Sequence, residues 1–302
     1  MNSIRNIGFL VLAGVLAGGV VCAGAANAEA QDPPVYHDRA RGELSVGASA
    51  PDQESMLSAI RIGSPTQLFT VLEYGERVEC AACVPLLQEK ILTSEDARVR
   101  EIAAWWLRRR TFVVGAVMRQ LKDVLARDLD PVRRSRAAEA IGELMDPNGV
   151  AALAAAATSD VDASVRASAV RGLARINTPT AHSTLVAAMA DRSAMVRLEA
   201  VSAVLRVNFF RNTDAILPLL ADEDAAVRRT AARTLGALRV AGAATALAGL
   251  LRSDGDVLVR QAAAWALGRI GTAEARTALS EAAAAETVSL VRDAIEVARQ
   301  MR

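Results

Sequence analysis

A Val-Arg pair recurs along this chain, at Val99-Arg100, Val132-Arg133, Val165-Arg166, Val196-Arg197, Val227-Arg228, Val259-Arg260 and Val291-Arg292. The intervals are 33, 33, 31, 31, 32 and 32 residues. A period this regular restricts the chain to folds that stack one supersecondary unit, because such a unit buries its apolar face only against its neighbours.

The residues after each pair identify the unit. With Val as position 0, small or apolar residues follow at +4 and +8: Ala103 and Leu107, Ala169 and Leu173, Ala200 and Val204, Ala231 and Leu235, Ala263 and Leu267. These positions share one face of a helix, and Ala at +4 admits a close neighbour. Gly often comes next, as Gly236 and Gly268. The second repeat slips by one residue (Ala137, Ile141, Gly142), which predicts a bulge or register change there. The last repeat carries Arg299 where Leu is expected, a polar face suited to a terminal cap.

A first helix is expected over 112–125, 150–157, 181–189, 213–220, 241–251 and 272–284. Six residues before the Arg stands an acid or Ser: Ser94, Asp160, Asp191, Asp222, Asp254 and Glu286. Asp130 breaks that offset in the second repeat. Such a residue is expected to cap the second helix, worth about 1 kcal/mol. It also offers a carboxylate to the Arg of its own or a neighbouring repeat. Arg166, Arg197, Arg228 and Arg260, with Asp160, Asp191, Asp222 and Asp254, are therefore the expected members of an intramolecular ladder, preferred over an anion-binding column.

The combined pattern D-x-x-x-x-V-R-x-x-A-x-x-A-L-G is complete in DGDVLVRQAAAWALG, residues 254–268. DEDAAVRRTAARTLG, residues 222–236, departs from it only at Thr234. This pattern resembles the HEAT repeat in its short bacterial form, the HEAT-like repeat of phycobilin lyases. The resemblance spans about residues 85–302. It implies an all-α fold: a right-handed α-α superhelix of about seven helical hairpins, with the second helices on the concave side. The solenoid is expected over residues 54–302.

The first 28 residues read as an export signal. Arg5 gives a positive start, Gly8 to Val21 is a 14-residue apolar run, and Ala26-Asn27-Ala28 is a small-x-small cleavage site. An uncleaved anchor and lipidation at Cys22 are the alternatives. Residues 29–53, with Pro33-Pro34 and no apolar periodicity, read as a flexible leader. The expected destination is the periplasm or cell envelope, with no membrane span once the signal is removed.

Charge narrows the partners. The formal net charge is +1, and removing residues 1–28 takes away Arg5 and leaves the chain neutral. That balance offers no footprint for a phosphate backbone, so nucleic acid is not an expected partner. Enzymatic classes also find little support. The only histidines, His37 and His182, form no ligand cluster, and no phosphate loop or nucleophile elbow is present. Deoxyhypusine hydroxylase, itself built of HEAT repeats, uses His-Glu pairs for iron, whereas here His37 precedes Asp38 and His182 precedes Ser183. No metal or cofactor is expected.

One constellation stands outside the repeat, Cys80-Ala81-Ala82-Cys83. Without a following His it does not attach haem, and without further ligands it makes a poor zinc site. Three residues apart on a helix, the Cα atoms lie about 5 Å apart, within disulfide reach. A structural disulfide fixing the first repeat is the primary reading, and a redox-active pair the alternative.

A protein partner is the expected ligand of the concave face. Position +6 supplies Trp105, Arg171, Ser202, Arg233 and Trp265, of which Trp105, Arg171, Arg233 and Trp265 are the candidate contacts. Position +2 supplies Glu101, Leu198, Arg229 and Gln261. A second candidate patch lies in residues 74–112, where Tyr74, Trp105, Trp106, the Arg108-Arg109-Arg110 run and Phe112 gather near the Cys pair. The reading is a non-catalytic scaffold, with a thiol-dependent enzyme as the alternative.

Overall fold

The computed structural model describes residues 50–301. The expected signal segment 1–28, and the leader through residue 49, lie outside the described residues. Within them the chain is helical throughout. The first pair of helices is α1 (Gln53–Ile62) and α2 (Pro65–Tyr74), followed by α3 (Cys83–Thr93) with α4 (Ala97–Arg108). Then come α5 (Val114–Arg127) with α6 (Pro131–Glu143), α7 (Val150–Ser159) with α8 (Ala163–Ile176), and α9 (His182–Ala188) with α10 (Ala194–Ala203). A 3-10 segment, Thr213–Ala221, pairs with α11 (Ala225–Ala237), α12 (Ala244–Ser253) with α13 (Val257–Ile270), and α14 (Ala273–Ala285) with α15 (Ser289–Arg299).

The seven motif-bearing hairpins are thus joined by an eighth, α1–α2, which packs on α3 and α4 as later hairpins pack on their successors. It lacks the Val-Arg motif, and local chemistry defines it instead. Asp52 caps α1 by accepting from the Ser55 N–H, and Ser64 with Gln67 closes a reciprocal capping box on α2, where Pro65 takes the first position.

The capping expectation is corrected. The acid six before the Arg ends the preceding helix: Asp160 follows α7 and Asp254 follows α12. The N-cap of the second helix is the residue two places on. Asp96, Asp130, Asp162, Asp224 and Asp256 each accept a backbone N–H from the first turn of α4, α6, α8, α11 and α13. The acid at the expected position holds that capping residue instead. Asp160, Asp222 and Asp254 accept the N–H of Asp162, Asp224 and Asp256 at 2.9 Å. Two acids share the inter-helix turn because its free N–H groups fall in two places.

The slip in the second repeat is a change of register without a bulge. Helix α6 runs unbroken, and position 0 belongs to Arg133, four and eight residues before the fully buried Ala137 and Ile141. Val132 is 49% exposed, so this Val-Arg pair sits one residue out of step with the others. The structural equivalent of the recurrent Arg is Arg134.

The second helices crowd one another far more than the first helices do. The closely packed layer is made of α6, α8, α10, α11, α13 and α15. The Gly at +9 makes this closeness possible. A Cβ on Gly236 would lie 2.6 Å from Ala266 Cα, and one on Gly268 would lie 2.8 Å from Ala298 Cα. Both partners sit at +7 of the next helix. Leu205 occupies the Gly position after α10, and that helix ends earlier, at Ala203.

One first helix departs from α geometry. Thr213–Ala221 is 3-10 over nine residues and contains Pro218. Proline lacks the N–H and clashes with the carbonyl four residues back, so the tighter winding follows from its position.

Candidate functional site

The recurrent arginines form a chain of forked ion pairs. Each reaches forward to the acid of the next repeat: Arg134 to Asp160, Arg166 to Asp191, Arg197 to Asp222, Arg228 to Asp254 and Arg260 to Glu286, with shortest distances of 2.6–2.9 Å. The Nη1 of the same side chain donates to a carbonyl in its own inter-helix turn, as Arg166 does to Asp160 O and Arg228 to Asp222 O. Each guanidinium therefore ties two repeats together and is consumed in doing so. Burial acts to raise the Asp191, Asp222 and Asp254 carboxyls, but the Arg forks and the N–H two residues on outweigh it and hold them below the usual range.

The ladder fails at the step from the first motif repeat to the second. The displaced register gives Asp128 to Arg133, at 2.9 Å. Arg100 keeps its contacts to the Ser94 and Glu95 carbonyls but turns its Nη2 to Glu139, at 3.3 Å, and leaves its buried Nε without a hydrogen-bond partner. Arg136 answers from α6 with a 2.8 Å pair to Glu95. This rearrangement borders a cavity of about 580 Å³ between α4, α6 and α8. Arg171 lines it, bridging Glu139 and Glu199 at 3.1 Å each. Glu143 lines it too, paired at 2.6 Å with Arg175. Burial pushes the Glu143 carboxyl up to about 7, against the opposing pull of Arg175. The cavity is strongly charged, but its charges are largely matched.

A second cavity of about 580 Å³ lies across α11, α13 and α15. Arg229 and Arg233 supply one side, and Leu258, Trp265, Leu290 and Val297 the apolar floor. The four residues expected to form one contact surface are thus separated. Arg171 belongs to the first cavity, Arg233 and Trp265 share the second, and Trp105 borders neither. Trp105 is half-buried beneath the Arg109 guanidinium, 4.2 Å from its ring centre. Sequence reasoning named Arg229 but missed Leu258, Leu290, Val297 and Glu143. Val297 stands at +6 of the last repeat, and Leu258 and Leu290 stand at −1. Extending the column count would have found these three, whereas Glu143 carries no periodic signal.

The expected patch in residues 74–112 is largely structural. Trp106 is fully buried and donates its indole N–H to Gly75 O at 3.1 Å. Arg110, 4% exposed, stacks 3.6 Å from that ring and donates to the Gly75 and Val78 carbonyls. Arg109 pairs with Glu76, and Arg108 reaches the Glu143 carbonyl. The run is thus a set of braces, not a solvated face. Tyr74, Arg109 and Phe112 are the exposed members of the patch. Cys80 and Cys83 are both buried, with Cα atoms 5.3 Å apart and sulfurs at bonding distance, 2.06 Å. No group of His, Cys, Asp and Glu able to hold a metal occurs among the described residues.

Stacked helical hairpins joined by this ladder define an α-solenoid. The HEAT repeats family model matches residues 118–206 and 213–299, and the chain belongs to that family. Among solved structures, YibA of Escherichia coli is similar with a TM-score of 0.55 at 16% identity, over 83% of this chain and 93% of that one. An archaeal HEAT-like repeats protein from Thermococcus onnurineus NA1 matches with a TM-score of 0.47 at 14% identity, over 72% and 96%. Human deoxyhypusine hydroxylase matches with a TM-score of 0.36 at 22% identity, over 82% and 94%. At these identities the likeness concerns the fold alone. No curated protein matches the sequence.

Proposed function

We propose that this protein is a non-catalytic scaffold of the bacterial cell envelope that binds another protein on the inner face of its solenoid. The observation that carries this reading is the division of labour among its arginines. Those of the ladder are spent between repeats, and Arg171 is held between Glu139 and Glu199, while Arg233, with Trp265, borders an open cavity on the crowded helix layer and has no ion pair among the described residues. Trp and Arg supply much of the energy of protein interfaces. Export rests on the sequence of residues 1–28. The burial of Cys80 and Cys83 favours a fastening role for the pair over thiol chemistry, which needs an accessible thiolate.

The test is co-purification from the native envelope fraction. Replacing Trp105, Arg171, Arg233 and Trp265 together with Ala is expected to remove the partner captured by the wild type. Unaltered capture by a folded variant would overturn the inner-face reading. Recovery of the protein in the cytoplasmic fraction would overturn its proposed location.

A further inference from the structure

We infer that the cavity across α11, α13 and α15 receives an acidic, apolar segment of the partner protein, carboxylates against Arg229 and Arg233 and leucine-like side chains against Trp265, Leu258, Leu290 and Val297. The inference rests on the scaffold reading and states the chemistry of what is bound.

Charge is the first argument. Arg229 and Arg233 lie one helical turn apart on α11, on the same face. Neither has an ion pair among the described residues, in a chain whose ladder arginines are all forked onto carboxylates. Asp293 is the single carboxylate lining the cavity. Arg229 and Arg233 are the only cations lining the cavity among the described residues. The first cavity differs on this point, since its Arg171 and Arg175 already hold Glu139, Glu199 and Glu143.

The floor is the second argument. Leu258, Leu290 and Val297 remain 41%, 43% and 57% exposed. They line one cavity beside Trp265, whose ring is fixed against Gly236, where a Cβ would come within 3.0 Å of it. An apolar surface open to this extent would leave a single acyl chain wet along one side. A peptide segment, with a backbone and side chains on both flanks, covers it. Segments that lay an apolar stripe in a groove and use flanking charges for register are a recurrent mode of recognition.

The probe is a fluorescein-labelled helical peptide of Leu-Leu-Glu-Glu blocks, about four turns long, titrated with the intact protein and followed by anisotropy. A Leu-Leu-Lys-Lys peptide and oleate serve as controls. Binding of the glutamate peptide is expected, with affinity falling at least about tenfold in an R229Q/R233Q variant of native helicity, and falling as salt is raised. The lysine peptide is expected not to bind. Equal binding of the two peptides, unchanged affinity in the variant, or binding of oleate without the peptide would each overturn the inference. So would a dimer of the wild type that the double substitution dissociates, which would give the cavity to a second copy. Failure of the scaffold reading is distinguishable from these. If the fourfold alanine variant loses the envelope partner while R229Q/R233Q keeps both partner and peptide, the scaffold stands and the acidic-segment inference falls.

Discussion

Arg197 forks onto Asp222 of the next repeat, Nε to Oδ2 at 2.6 Å and Nη2 to Oδ1 at 2.7 Å, while its Nη1 holds the Asp191 carbonyl of its own repeat at 2.9 Å. One side chain thereby fixes both the turn it springs from and the distance to the following hairpin. The pair is well shielded, with side chains 10% and 6% exposed. Its geometry makes the ladder a set of clamps between repeats.

Asp222→Asn is therefore expected to destabilise the protein by about 3 kcal/mol, because it leaves a shielded guanidinium with only the exposed Glu223, 3.2 Å away, as counter-charge. Urea unfolding at neutral pH measures this. Arg292→Gln is the control, since Arg292 is exposed and makes no ion pair among the described residues, and it should change stability by less than about 0.5 kcal/mol. The sign with pH follows from the lowered Asp222 pKa. The contribution is present above the ordinary aspartate range and lost as pH falls through the folded value, so the cost of D222N should shrink in acid. Equal costs for D222N and R292Q would contradict the ladder.

Glu143 titrates in the opposite sense. Burial raises its folded pKa to about 7, with Arg175 and Arg108 pulling it down and Glu101 adding to the rise. A raised carboxyl binds its proton more tightly in the folded state, so stability is lost as pH climbs from the unfolded value of 4.5 to about 7. Relative to Glu143→Gln, the wild type should lose roughly 1–3 kcal/mol between about pH 5 and about pH 8. Parallel pH profiles for the two proteins would show that Glu143 is ionised throughout.

Two glycines should respond to alanine with opposite signs. A Cβ on Gly142 would meet Gly172 Cα at 2.6 Å, backbone against backbone between α6 and α8. Gly142→Ala should cost about 1–3 kcal/mol through forced separation of those helices. Gly249, inside α12, has nothing within 4 Å of its Cβ position. Gly249→Ala should add about 0.5–1 kcal/mol by reducing the freedom of the unfolded chain. Thermal melts of the two variants decide the point.

The pair at Cys80 and Cys83 should resist alkylation in the purified, unreduced protein, which mass spectrometry reads directly. The double alanine variant should lose about 2 kcal/mol of stability, the scale for so short a loop, and still capture the envelope partner. Free thiols in the mature protein would remove the proposed link. Full stability with loss of cellular function would favour thiol chemistry instead.

The sequence stated the repeat plainly because each element of it has a local cause. Val at 0, small residues at +4 and apolar residues at +8 are helix periodicity, and they predicted buried positions such as Val227, Ala231 and Leu235. Much of the site was less legible. Trp106 and Arg110 look like surface anchors in a linear reading, yet both are buried against the loop that begins at Gly75, over thirty residues earlier. The capping residues were misassigned by two places because paired acids flank several turns, as at Asp160 and Asp162 or Asp254 and Asp256, and only backbone direction separates an acid that ends one helix from one that starts the next.

What the sequence determined by itself was the unit, its number of motif-bearing copies and the small residues that let copies approach, since all of these follow from side-chain size and period. Tertiary structure alone decided which repeat an arginine serves, because Arg197 lies close in sequence to its own Asp191 but reaches Asp222 across the stack. It also decided that one register shift, at Arg133 and Arg134, turns a ladder step into a charged cavity. Stacking brings together residues some 26 to 41 positions apart, as in Arg134–Asp160 and Arg136–Glu95, and no local pattern encodes which of several nearby charges will be in reach.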